Sequence, residues 1–85
     1  MDDVTTIALH KPVRLGDQEF TEITLSEPTA GQIETALKEA SQTTANIVLI
    51  ALIAKIPPAA VRAMSLRDFN AAVAYLSGFT KGEAE

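Results

Sequence analysis

Between Leu25 and Gln32 the chain reads Leu-Ser-Glu-Pro-Thr-Ala-Gly-Gln, and here its pattern changes from strand-like alternation to helix-like spacing. Pro28 holds Glu27 out of the helical region. Thr29 can then serve as an N-cap, and Gln32, three positions on, completes a capping box by reaching back to the cap's own N–H. Gly31 is tolerated in a first helical turn. The segment divides the chain into a β part and an α part. It predicts an α+β fold: an N-terminal β-hairpin followed by three to four α-helices packed on it.

On the β side, Thr5–His10 alternates, with Ile7 and Leu9 on one face, and the same parity continues through Val13 and Leu15. Pro12 offers no N–H to a ladder, so this strand must lie at an edge or break there. Gly16-Asp17-Gln18 supplies a turn. Phe20–Leu25 returns, with Thr21, Ile23 and Leu25 on one side and Glu22 and Thr24 on the other. This predicts a hairpin over 5–26 with one buried face. Two strands alone are marginal in water, so that face must pack on the helices that follow.

The spacing predicts a first helix from Ala30 to about Ala40, with Ile33, Ala36, Leu37 and Ala40 inward and Glu34, Lys38 and Glu39 outward. Ser41–Thr44 reads as a short polar connection. A second helix is expected over about Ala45–Ile56. Its run Ile47–Ala54 leaves no polar face, so it is either central in its domain or partly covered by another chain. In so small a domain few positions are enclosed, which favours cover by another chain. The β-branched residues of the run would also suit a strand, but its length and the residues Ala45, Ala51, Leu52 and Ala54 favour helix. Pro57-Pro58 ends it, and Pro58 opens a short helical segment to Met64. Ser65 caps a last helix, where Asp68 complements the N-terminal dipole. Leu66, Phe69, Val73 and Leu76 form its stripe, widened by Ala72, Tyr75 and Phe79. Gly78 reads as a C-cap, and 80–85 as a frayed tail.

The 85 residues leave room for one domain, 1–85, with its helical part over 29–79. A chain of this length buries roughly 60–65% of its unfolded surface, and association with another chain is a common remedy. The charges are uneven. Through residue 39 eight acids stand against Lys11, Arg14 and Lys38; beyond it three acids stand against Lys55, Arg62, Arg67 and Lys81. A net charge of −4, with no basic cluster and no interleaved aromatics, argues against nucleic-acid binding. The acidic opening Met1-Asp2-Asp3 is unlike a secretory leader, and Ile47–Ala54 is too short to span a bilayer, so a soluble, cytoplasmic protein is expected. Asp2-Asp3 reads as disordered.

Reactive chemistry is sparse. The absence of cysteine excludes disulfides, thiolate metal sites and a cysteine nucleophile. The single His10 has no Cys, Asp or Glu at ligand spacing and reads as a solvated surface histidine. Glu19 and Glu22 differ in strand parity and cannot form a paired-carboxylate site. A nucleophilic Ser or Thr needs a nearby base, and the glycines are too scattered for a phosphate loop. Met64-Ser65-Leu66 resembles the prosthetic-group serine of acyl carrier proteins only in part: no Asp precedes Ser65, and those proteins do not begin with a hairpin. The expectation is a protein that is not an enzyme and uses no cofactor or metal.

The order of the pieces is more specific than any one of them. The hairpin reads Ile7-x-Leu9-x-x-Pro12 with Gly16 in its turn; Ile23-Thr24-Leu25-Ser26-Glu27-Pro28-Thr29-Ala30-Gly31 follows. The helical half ends in Met64-Ser65-Leu66-Arg67-Asp68-Phe69 and Gly78-Phe79. Over about residues 5–79 this resembles the small tail assembly chaperones of Mu-like and related contractile-tailed phages and prophages. That family often has a charged residue where Ser26 stands and a second aromatic where Thr80 stands.

The resemblance implies a non-catalytic role in the bacterial host cytoplasm. Such chaperones bind the long helical tape measure protein during tail morphogenesis, keep it soluble and help recruit tail tube protein. The helix without a polar face places the client or self-association surface on the second and last helices, with Leu49, Ile53, Ile56 and Phe69 as candidate contact residues. The alternative is a small structural or adaptor subunit retained in an assembled phage particle.

Overall fold

The computed structural model describes residues 4–81; the expected disorder of Asp2-Asp3 and the end of the expected tail lie outside the described residues. Strands β1 (Val4–Leu15) and β2 (Gln18–Ser26) pair antiparallel across a two-residue turn. Gly16 holds φ 61° at the first turn position, where a type II′ connection calls for glycine. A Cβ there would meet nothing within 4 Å, so the constraint is backbone conformation and not crowding. Ile7 sits opposite Ile23, and the hydroxyls of Thr6 and Thr24 meet across the strands at 3.3 Å.

The ladder breaks at Pro12. Ala8 pairs with Glu22 and Val13 with Phe20, so Leu9–Pro12 of β1 face Thr21 alone on β2. Because the excess on β1 is odd, one strand must change parity against the other. It is β2 that gives way. β1 keeps its alternation, with Leu9 and Val13 buried and Ile7 and Leu15 half-buried. On β2, Ile23 and Leu25 are buried, but Phe20 packs against the core while Thr21 is exposed. The expected placement of Thr21 beside Ile23 is corrected by this bulge.

Four helices follow among the described residues: α1 (Ala30–Leu37), α2 (Gln42–Ala54), α3 (Pro58–Arg62) and α4 (Leu66–Lys81). The capping box forms as its spacing predicts. Thr29 Oγ1 accepts from the Gln32 N–H at 3.1 Å, and Gln32 Oε1 accepts from the Thr29 N–H at 2.9 Å. α1 ends at Leu37 and not Ala40, because the chain turns to present Ser41 as the cap of α2, its Oγ accepting from the Thr44 N–H at 3.0 Å. Gln42–Thr44 are thus the first turn of α2 instead of a connection. α2 stops at Ala54 instead of Ile56, with Lys55 in the left-handed region at φ 61°. Gly78 lies inside α4, which runs to Lys81, so neither the C-cap at Gly78 nor a tail starting at residue 80 holds.

α2 is the central element. It lies against α1, α3, α4 and β2, which leaves Leu49, Ile50, Ala51 and Ile53 buried and only Leu52 exposed among its large apolar side chains. Its lack of a polar face is met largely from within the chain. Together with Leu25, Val61, Ala72 and Leu76, these residues form one buried cluster between hairpin and helices.

Candidate interaction surface

The inward row of α4 runs Asp68, Ala72, Leu76, so a carboxylate stands where the period calls for an apolar side chain. Asp68 is 1% exposed. Its Oδ1 accepts from the His10 N–H at 3.0 Å and lies 2.9 Å from His10 Nδ1; its Oδ2 accepts from the Lys11 N–H at 3.2 Å. Both backbone donors belong to the bulge, where they have no strand partner. A buried backbone N–H must find an acceptor, and Asp68 supplies one for two of them. At its own end, the Asp68 N–H donates to Ser65 Oγ at 3.2 Å.

Burial alone would raise the Asp68 pKa. Hydrogen bonds from the His10 backbone, the His10 ring, the Lys11 backbone and Ser65 outweigh it and hold the carboxyl well below the usual carboxylate range. Facing an ionised oxygen, His10 Nδ1 must carry its proton. The His10 side chain is 64% exposed, as a surface histidine should be, but it is tethered and not free. This joint is structural: it fastens the first turn of α4 to the hairpin.

Two largely apolar grooves lie beside α4, at different heights along it. The first, about 320 Å³, lies between α1, α2 and α4; Ile33, Leu37, Leu49, Val73 and Leu76 give it an apolar floor, and Gln42, Asn46 and Ser77 add polar groups to its wall. The second, about 190 Å³, lies between α2, α3 and the start of α4, lined by Ile47, Val61, Met64, Leu66 and Phe69 with Arg62 beside them. Each has an exposed leucine in its lining. Leu37 is 68% exposed and Leu66 71%, whereas the sequence periodicity places both inward. Leu37 sits in the last turn of the shortened α1. Leu66 is turned outward because Asp68 takes the inward position two residues later.

The four candidate contact residues do not form one patch. Leu49 is buried and lines the first groove, while Phe69 is half-buried and lines the second. Ile53 is buried in the core and lines neither groove, and Ile56, just past α2, packs half-buried against that core. Sequence reasoning missed the exposure of Leu37 and Leu66 and the link from Asp68 to His10. A helical period reveals a stripe but not its rotation, and a contact spanning 58 positions leaves no local pattern.

Among the described residues no group of three or more His, Cys, Asp or Glu could hold a metal ion, and no helix is long and apolar enough to cross a membrane. The arrangement is a hairpin backed by helices, with two grooves beside α4 and a polar joint that fastens helix to hairpin. The profile of the family described as phage tail assembly chaperone proteins, E, or 41 or 14, matches residues 6–81. The chain belongs to this family of phage tail assembly chaperones. Searches among curated proteins and among solved structures found no match.

Proposed function

We propose that this protein binds the tape measure protein in the host cytoplasm during tail morphogenesis and keeps it soluble until tail tube protein assembles on it. The supporting observation is the pair of apolar grooves beside α4, each with an exposed leucine, in a member of a tail assembly chaperone family. Paired grooves of this kind suit the apolar stripe of a client helix, which would otherwise aggregate. Leu49 and Phe69 line the grooves. Ile53 and Ile56 line neither groove and belong to or pack on the core, where a change would act through packing. The acidic N-terminal half gives the complex a net charge that disfavours its association into larger particles. The role is non-catalytic and calls for no cofactor or metal.

Co-expression with the tape measure protein of the same phage tests this reading. The client should move into the soluble fraction and copurify with this chain. If its solubility and copurification are unchanged, the reading fails. Mass spectrometry of purified phage particles should find the protein missing; its presence there would point to a retained structural or adaptor subunit.

A further inference from the structure

We infer that the groove between α2, α3 and the start of α4 selects for acid. It takes an amphipathic client helix that carries carboxylates beside its apolar stripe, with Arg62 as the cation that pairs with them. That the helix belongs to a client rests on the chaperone reading; the preference for acid does not.

The two grooves differ in the polar groups of their walls. The one between α1, α2 and α4 offers only neutral ones, Gln42, Asn46 and Ser77. The other sets Arg62 among Ile47, Val61, Met64, Leu66 and Phe69. Arg62 stands in the last turn of α3, is exposed, and makes no ion pair among the described residues. Its surroundings have the same sign. From residue 40 to residue 79 the exposed charged side chains are Lys55, Arg62 and Arg67. Asp68, the acid of that stretch, is buried and held by His10 and Lys11. The exposed acids Asp17, Glu19, Glu22, Glu27, Glu34 and Glu39 all lie in the hairpin or near α1, and neither element lines this groove. A cationic apolar groove thus stands on a chain whose net charge is −4.

An apolar side chain seated against Met64 and Phe69 leaves water, and the pliable Met64 adapts to its shape. A carboxylate one helical turn along the occupant, at i+3 or i+4, then comes within reach of the Arg62 guanidinium, which can hold it through two parallel N–H donors. A lysine at that place meets a like charge. A second copy of this chain fits less well, because its exposed leucines adjoin cations, Lys38 beside Leu37 and Arg67 beside Leu66.

Two synthetic helical peptides of about 15 residues test the groove without the client. Both carry leucines at i, i+4 and i+7; glutamates flank this stripe in one and lysines in the other. Each is titrated into the full chain at low salt and followed by amide chemical shifts. The glutamate peptide should shift Ile47, Val61, Arg62 and Phe69 and bind at least about tenfold more tightly than the lysine peptide. The net charge of −4 acts the other way, so nonspecific attraction cannot produce that order. Arg62→Glu, at an exposed position, should keep the fold and reverse the preference. Arg62→Gln should reduce it to less than about threefold. Equal affinities, a preference for lysine, no binding of either peptide, or shifts confined to residues outside this groove overturn the inference. So does an Arg62→Glu variant that still prefers glutamate. In co-expression with the tape measure protein, Arg62→Glu should lower the yield of soluble client several-fold. An unchanged yield overturns the assignment of this groove to an acidic client segment. Failure of the unaltered chain to solubilise the client overturns the chaperone reading and leaves the peptide result standing.

Discussion

At Asp68 a helix-start residue and a tertiary anchor are the same side chain. Its amide engages the Ser65 cap while its carboxylate answers two N–H groups that the β1 bulge leaves without strand partners. Asp68→Asn keeps the shape but sets an amide against those donors, and hydrogen bonds to a charged group are worth about 1.5–3 kcal/mol. We expect a loss of that order in urea unfolding at pH 7. The folded carboxyl titrates below its ordinary 3.8, so its contribution is complete above that value. It declines as pH falls below 3.8 toward the folded value, by up to about 1.4 kcal/mol per pH unit. The stability gap between the unaltered protein and Asp68→Asn should therefore narrow as pH falls below about 4. A gap undiminished at pH 3 would show that the charge is not what holds the joint. The capping half of this residue is legible in the Ser65-x-x-Asp68 spacing. The anchoring half is not, since its partners lie on a strand far back in the chain.

Among the elements, legibility follows how local the cause is. The capping box at Thr29 and Gln32 and the turn at Gly16 depend on neighbours within three residues, and both appear in the structure where the sequence places them. Thr29→Ala should cost about 1 kcal/mol in thermal or urea unfolding, the usual worth of such a cap. Helix ends are less legible because they are settled by competition. α1 could have run on to Ala40, but Ser41 caps α2 better than Ala40 continues α1, and the chain turns early. The end of α2 illustrates the same point: Lys55 accepts the left-handed conformation that closes the helix before Pro57, although glycine is the residue that adopts it without cost. Lys55→Gly should therefore raise stability by about 0.5–1 kcal/mol, measured by urea unfolding. A loss would show that the lysine side chain contributes more than its backbone strain costs. The face of β2 was misread for a nonlocal reason, since the parity slip at Phe20 is imposed by extra residues on the other strand.

At the scale of the whole molecule, the apolar surplus of α2 divides into a buried share, Ile50 and Ile53, and a share that borders the two grooves, Leu49 and Ile47. That division does not separate folding from binding at Leu49, which is buried as well as bordering a groove. Leu49→Ala should cost about 2–5 kcal/mol, as large-to-small core changes do, and its effect on a client would be confounded with unfolding. Leu37 and Leu66 are different. Both are more than two-thirds exposed, so Leu37→Gln and Leu66→Gln should leave stability within about 0.5 kcal/mol. Each removes an apolar side chain from one groove, and together they remove one from both. If client helices dock there, the double variant should keep its urea midpoint and its hairpin hydrogen-exchange protection. Its yield of soluble tape measure protein on co-expression should still fall several-fold. A double variant that folds normally and solubilises the client fully would place the binding surface elsewhere. The exposed face of the hairpin, where Thr6, Glu22 and Thr24 point outward, would then be the next surface to alter.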